Sequence, residues 1–240
     1  MSRRILGGVH TPLMRRRVEP ELLDQLPPED SRAQRSRRDL QRLNRLLGHA
    51  GILEAAVERA LGHPPCRLIE LGAGDGTVLL EVARHRRAEW QEVEVVLVDR
   101  WRVVDPETLG EFRRLGWQVE TVAADVRTWL ERAPLADAVL VNLLLHHFSE
   151  SELRELLGQA AEVAHVFVAC EPRRNLVSRL GARLVGILGC GPVTRCDARR
   201  SVAAGFRGQE LSVLWPKRGW ELVERRVGLF THLFVARRRK

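Results

Sequence analysis

Tyrosine is missing from this chain of 240 residues, and lysine is confined to Lys217 and Lys240. The first absence removes the phenolic hydroxyl from the groups able to take a proton from a substrate. The second excludes a P-loop, because no lysine follows the glycine-rich turn described below. No apolar run approaches the ~20 residues that span a bilayer, and residues 1–17 carry arginines where a secretory signal needs an apolar centre. These absences lead to the expectation of a cytoplasmic protein without a transmembrane segment, peripheral membrane contact staying open. The four cysteines never form a C-x-x-C pair, so no zinc or redox motif is read and no metal is expected. Cys66 and Cys170 adjoin apolar runs and are expected to be buried; Cys190 and Cys196 are expected to be reduced.

Aromatic residues make up only 5% of the chain and do not interleave the basic ones as base-stacking platforms require. Nucleic acid is therefore not the expected partner, although the net charge is +8. Arg35, Arg37, Arg38, Arg42 and Arg45 fall on one helical stretch and read as its solvated face. Leu40, Leu43, Leu46 and Leu47 read as the apolar face.

The patterning predicts helices over about 31–47 and 52–61, the second stopped by Gly62-His63-Pro64-Pro65. From Cys66 onward strand-like runs (67–71, 93–98, 118–123, 138–142 and 165–170) alternate with helical segments. This alternation implies parallel strands joined by right-handed crossovers. Residues 175–214 read as helix, glycine-rich turn and helix, and two closing strands near 221–227 and 230–236 suggest an antiparallel hairpin on a sheet edge. The predicted fold is α/β: a Rossmann-like, doubly wound, seven-stranded sheet, mostly parallel with one antiparallel C-terminal edge strand and helices on both faces. Residues 1–62 are expected to form a helical lid, and 63–240 the main domain with a helical insertion at 175–214 over its pocket.

The chemistry is carried by Glu70-x-Gly72-x-Gly74-x-Gly76, where a strand ends and a helix begins while backbone passes close to a ligand. The spacing is not the G-x-G-x-x-G of dinucleotide sites, and Asp75 puts in the turn a carboxylate that would repel phosphate and suit a cationic ligand. Asp99 and Asp125 close the next two strands. Acids at the carboxyl ends of successive strands sit where open α/β sheets bind ligands, Asp99 suited to ribose hydroxyls and Asp125 to an adenine amino group.

The segments LIELGAGDG, VLVDR, AADV and VNLLLHHF, in this order, resemble the successive motifs of class I methyltransferases, and the Leu-His-His-Phe stretch resembles the small-molecule branch related to ubiquinone and menaquinone methylation. The likeness covers about 66–172. It implies S-adenosylmethionine as cofactor and S-adenosylhomocysteine (SAH) as its product. It further implies that Gly72, Ala73, Gly74 and Gly76 line the methionine and ribose part, that Glu70 orders the loop, and that Asp99 with Arg100 meets the ribose side. Asp125 and Val126 would meet the adenine, and Asn142 and Leu143 would lie beneath the sulfonium.

The acceptor is expected to be a small molecule, an aromatic, polyketide or quinone-like compound methylated on oxygen, with carbon methylation of a lipophilic quinone precursor as an alternative. A nucleic-acid methyltransferase is a further alternative, but the Asp/Asn-Pro-Pro-aromatic tetrad of amino-methylating enzymes is replaced by Asn142-Leu143-Leu144-Leu145. His146 and His147 follow the fourth strand, where a methyl group would be presented; one of them, His146 by preference, is the candidate base. Glu171-Pro172-Arg173-Arg174 reads either as a grip for an anionic group or as a solvated turn. Arg173, Arg199 and Phe206 are the substrate-side candidates, whereas Trp215, Trp220 and Phe230 read as core. The pattern does not fix an oligomeric state.

Overall fold

The computed structural model describes residues 15–239. The opening of the expected lid and most of the segment 1–17 lie outside them. The first two helices are α1 (Ser31–Leu47) and α2 (His49–Leu61), hinged at Gly48, whose φ of 67° ends one helix and starts the next. There follow β1 (Arg67–Leu71), α3 (Thr77–Arg86), β2 (Glu94–Asp99), α4 (Pro106–Arg114), β3 (Gln118–Ala123), α5 (Val126–Leu130) and β4 (Ala136–Asn142). The chain continues through α6 (Glu150–Val163), β5 (Ala164–Pro172), α7 (Leu176–Leu184), α8 (Pro192–Ala204), α9 (Glu210–Leu214), β6 (Trp220–Val227) and β7 (Thr231–Arg238).

Among the described residues seven strands form one sheet in the order β3-β2-β1-β4-β5-β7-β6. The first five are parallel; β7 runs against both neighbours, so the expected antiparallel hairpin forms that edge of the sheet, with β6 outermost. The strand order reverses between β1 and β4, which opens a crevice at their carboxyl ends.

Alternation along each strand divides the core in two. Ile69, Val96, Val139 and Phe167 point to the side covered by α5, α6 and α9, where Leu153, Leu156 and Trp215 close the packing. Leu68, Val95, Leu140 and Val168 point to the side covered by α2, α3 and α4, and there Leu53 and Val57 of α2 are almost fully buried. The second helix is thus part of the core and not of a detached cap.

The first helix departs from its pattern. Its buried residues are Ala33, Ser36 and Asp39, while Leu46 is 68% exposed and Leu40, Leu43 and Leu47 line a cavity. Asp39 explains the inversion: its Oδ2 accepts from the Gly191 amide at 2.7 Å and the Thr194 hydroxyl at 2.9 Å, tying α1 to α8 through polar bonds. Trp215 and Trp220 are core as read, whereas Phe230 lines the cavity. Among the described residues all four cysteines are free thiols, with Cys170 buried but Cys66 exposed, against the expectation, because it precedes β1 at the sheet rim. No helix among the described residues is long and apolar enough to cross a membrane.

Candidate active site

The loop after β1 turns back over the sheet because Gly72 and Ala73 donate their amides to Val98 of β2, at 2.8 and 3.1 Å. Gly72, Gly74 and Gly76 take φ of 70°, 55° and 73°, a region that costs other residues free energy. Asp99 then fixes the loop: one carboxylate oxygen accepts from Gly74 N–H and the other from Trp101 N–H, each at 2.9 Å. Asp125 caps α5 through the Arg127 amide at 2.9 Å, and that bond and the Arg127 guanidinium hold its pKa below the ordinary carboxylate range despite the opposing effect of burial.

These elements line one cavity of about 1040 Å³. Of the residues singled out for a cofactor, Glu70, Gly72, Ala73, Gly74, Asp99, Arg100, Asp125, Val126, Asn142 and Leu143 all face it. Gly76 does not; it precedes α3 and packs toward Leu97. Asp75 lines the cavity, yet its Oδ1 accepts from the amide and hydroxyl of Thr77 and its Oδ2 from Gln41 of α1. Its carboxylate is committed to holding the loop, contrary to the role read for it as a partner for a cation.

Among the described residues, Glu70 Oε2 and Asn142 Oδ1 are buried without a hydrogen-bond partner. Burial raises the Glu70 pKa well above the usual carboxylate range, and the nearby charges of Asp75 and Asp99 push it further up. An unsatisfied buried polar atom is costly, and the residues that carry these two, like Ser178 with its unpartnered Oγ, belong to the wall of the cavity. Asn142 is oriented by Asn44 of α1 at 3.3 Å; Asn44 also accepts from His49, whose other ring nitrogen meets the Thr231 hydroxyl at 3.2 Å. Burial lowers the His49 pKa to about 4, so this ring is neutral.

The opposite end of the cavity is built around Glu171 at the close of β5. Its Oε1 accepts from the Leu144 and Leu145 amides at 2.9 and 2.7 Å, and its Oε2 lies 2.7 Å from His146 Nδ1. The residues 171–174 are thus no solvated turn: Glu171 is fully buried, and buried Arg174 bonds Gly205 and Glu210. The loop bends at Leu143, where φ is 56°.

His146 is buried, and its Nε2 is 3.2 Å from Glu21 Oε1. Burial works against a charged ring, but hydrogen bonds and charge from Glu171 and Glu21 outweigh it and push the pKa up to about 10. Held as an imidazolium with both nitrogens engaged, His146 is poorly suited to be the free base for which it was preferred. His147 is more accessible; its Nδ1 faces Asp24 Oδ2 at 3.0 Å and its Nε2 faces Glu21 Oε2 at 3.9 Å. Asp197 of α8 anchors the segment that carries these acids by accepting from the Leu22 and Leu23 amides at 2.8 and 2.9 Å.

The substrate-side candidates are not in this cavity. Arg173 forms a backbone bridge with Phe206, Phe206 is 1% exposed in the core, and Arg199 is on the outer surface of α8. The apolar part of the wall comes instead from Leu40, Leu43 and Leu47 of α1 with Leu184, Val185 and Leu188. Glu21, Asp24, Gln41, Asn44 and His49 were not legible as site residues. An acid pair one turn apart after Pro20 was their only local signal, and such pairs are common on any surface.

No protein-family model matches the chain, and no curated protein matches it. Similar solved structures exist. The plantazolicin methyltransferase BpumL, determined in complex with SAH, superposes with a TM-score of 0.64 at 13% identity over 88% of this chain and 92% of that one. An O-methyltransferase family protein from Burkholderia thailandensis gives 0.55 at 21% identity over 88% of this chain, and the pyocyanin biosynthetic protein PhzM 0.54 at 17% over 77%. The chain spans 61% and 54% of the length of these last two. At such identities the likeness shows the fold.

Proposed function

We propose that the protein transfers a methyl group from S-adenosylmethionine to the oxygen of a small, largely apolar acceptor of aromatic, polyketide or quinone-like character. The observation that carries this reading is that the glycine turn, Asp99, Asp125, Asn142 and Leu143 line one cavity, with the unpartnered buried oxygens Glu70 Oε2 and Asn142 Oδ1 on residues of its wall. These two oxygens suit the α-ammonium of the cofactor. Gly72, Ala73 and Gly74 offer backbone to its methionine part, Asp99 and Arg100 its ribose side, Asp125 and Val126 its adenine, and Asn142 and Leu143 the base of the sulfonium pocket. The cofactor supplies a methyl group already activated by positive sulfur, so the chain has chiefly to align an acceptor. The plantazolicin methyltransferase BpumL and the O-methyltransferase family protein support the reading by what their names state of them.

In this reading α1 and the insertion 175–214 are the cover over the acceptor, and their leucines exclude water. His147, with Glu21 and Asp24, forms the polar end where the acceptor hydroxyl is ionised, and His146 orients Glu21 there. Calorimetry with SAH tests the first half: we expect one site, weakened about 10-fold or more in D99A. Incubation with methyl-labelled cofactor and a panel of phenols and hydroxyquinones tests the second. Absence of heat with SAH would sink the assignment, and label found only in carbon or nitrogen acceptors would sink the oxygen reading.

A further inference from the structure

We infer that Glu21, His146 and His147 form a binding site for one divalent d-block cation of the Zn²⁺ or Co²⁺ type. One donor atom from each residue lies within 4.8 Å of the other two. The individual gaps are 3.2 Å from His146 Nε2 to Glu21 Oε1 and 3.9 Å from His147 Nε2 to Glu21 Oε2. Bonds of about 2.0–2.2 Å to a common tetrahedral ion put donors roughly 3.4 Å apart, so the three donors, now within 4.8 Å of one another, have to draw closer to meet it.

The surroundings have the organisation of a metal centre. Each imidazole turns its Nδ1 to a carboxylate, His146 to Glu171 at 2.7 Å and His147 to Asp24 at 3.0 Å, which directs both Nε2 atoms to the same side. At His146 the cation would take the place of the Nε2 proton that Glu21 now faces, so binding releases that proton, and carboxylates on the Nδ1 side orient the ring and strengthen it as a ligand. The third donor is fixed as well: the Ser201 hydroxyl bonds Glu21, Asp197 clamps the Leu22 and Leu23 amides, and the Arg100 guanidinium donates to the Asp24 carbonyl at 2.7 Å. Two imidazoles and one carboxylate select a borderline cation over Mg²⁺ or Ca²⁺, which want an oxygen shell. All three residues line the cavity, so a position not taken by protein faces its interior.

Such a cation would hold the segment 21–24 against the loop after β4 and give the acceptor oxygen a Lewis acid on which to ionise. This role in catalysis rests on the reading above; the binding of the cation does not.

Chelator-treated protein titrated with Co²⁺ provides the test. We expect one equivalent to bind and to develop ligand-field bands that the aquo ion lacks. H147A and E21Q should each weaken binding about 10-fold or more, and D24N about 10-fold through the orientation of His147. H85A, which alters an exposed histidine paired with Glu54, should change nothing. Circular dichroism confirms that each variant is folded, and H147A is the principal one because His147 is less buried than His146. Bands that survive both H147A and E21Q, binding of Mg²⁺ in preference to Co²⁺, or no bands at about tenfold excess of cation would each overturn the inference. SAH calorimetry on the same samples separates the two readings: SAH binding with failed Co²⁺ binding removes the cation alone, whereas Co²⁺ binding without SAH binding supports the site and removes the proposed function.

Discussion

Glu171 Oε2 stands 2.7 Å from His146 Nδ1 while the other oxygen of the same carboxylate takes the Leu144 and Leu145 amides. One buried side chain therefore fixes both a ring and the backbone that carries it. E171Q breaks a buried charged pair: with its amide oxygen kept on the Leu144 and Leu145 N–H groups, the new NH2 group faces the protonated His146 Nδ1. A loss of about 3 kcal/mol is expected in urea denaturation. An unchanged midpoint would mean that the loop is held by something else.

Glu70 sets cofactor affinity against stability. Its folded-state pKa is raised by burial and by Asp75 and Asp99, so the folded protein increasingly disfavours the ionised group as pH rises above the unfolded pKa. E70Q should therefore raise the urea midpoint of the ligand-free protein more at pH 8 than at pH 5. The same substitution should weaken SAH about 10- to 100-fold by calorimetry, since it removes a charge-assisted bond to the ammonium. Tighter SAH binding by E70Q would reverse the assignment of this group.

Gly74 and Gly76 separate ligand approach from packing. A Cβ on Gly74 meets no atom within 4 Å, whereas one on Gly76 would lie 2.9 Å from Leu97 Cδ1. G74A is expected to cost about 1 kcal/mol from its positive φ, with a marked loss of SAH binding. G76A is expected to cost about 2–3 kcal/mol because Leu97 must also shift. Thermal melts with and without SAH distinguish them, and equal SAH affinity for wild type and G74A would remove the turn from the cofactor site.

His49 contributes a pH dependence below neutrality. Its folded pKa of about 4 is under the ordinary value of 6.5, so the unfolded chain takes up a proton first. The stability is complete above pH 6.5 and is lost as pH falls toward 4. Between pH 7 and pH 5 the wild type should lose about 2 kcal/mol more than H49Q, as read from parallel urea titrations. Parallel curves for the two proteins would contradict a buried neutral ring.

Two leucines on consecutive helices should behave differently. Leu53 is 1% exposed in the core and L53A is expected to cost about 2–5 kcal/mol. Leu43 lines the cavity, and L43A should cost less than about 1 kcal/mol while raising KM for an apolar acceptor. A core-sized loss of stability in L43A would place α1 in the core.

The β-α alternation was legible because β1, β2, β4 and β5 are short apolar runs closed by an acid, glycine or asparagine, and burial on both faces leaves such strands little freedom of composition, whereas β3 at the sheet edge is more polar and exposed. That Glu70, Gly72, Ala73, Gly74, Asp99 and Asp125, residues proposed for the cofactor, would share one cavity was legible for the same reason: the ends of those strands are fixed by the sheet. Arg173, Arg199 and Phe206 do not line the cavity, and nothing local told that Phe206 would pair with Arg173 and turn inward. The leucines of α1 were seen as an apolar face, but the partner of that face is empty space in a cavity and not a packed core.

Local patterning by itself determined the strands, their parallel order of succession and the turn at Gly72–Gly76, since hydrophobic period and backbone sterics act over a few residues. Tertiary structure alone decided that Glu21 and Asp24 meet His146 and His147, contacts spanning 125 residues in the case of Glu21 and His146. It also decided that Glu70 would be left without a partner and Asp75 with several. The charge state and free valence of a side chain depend on what the fold brings within about 4 Å of it and how far water is removed, and neither is written in the order of neighbouring residues.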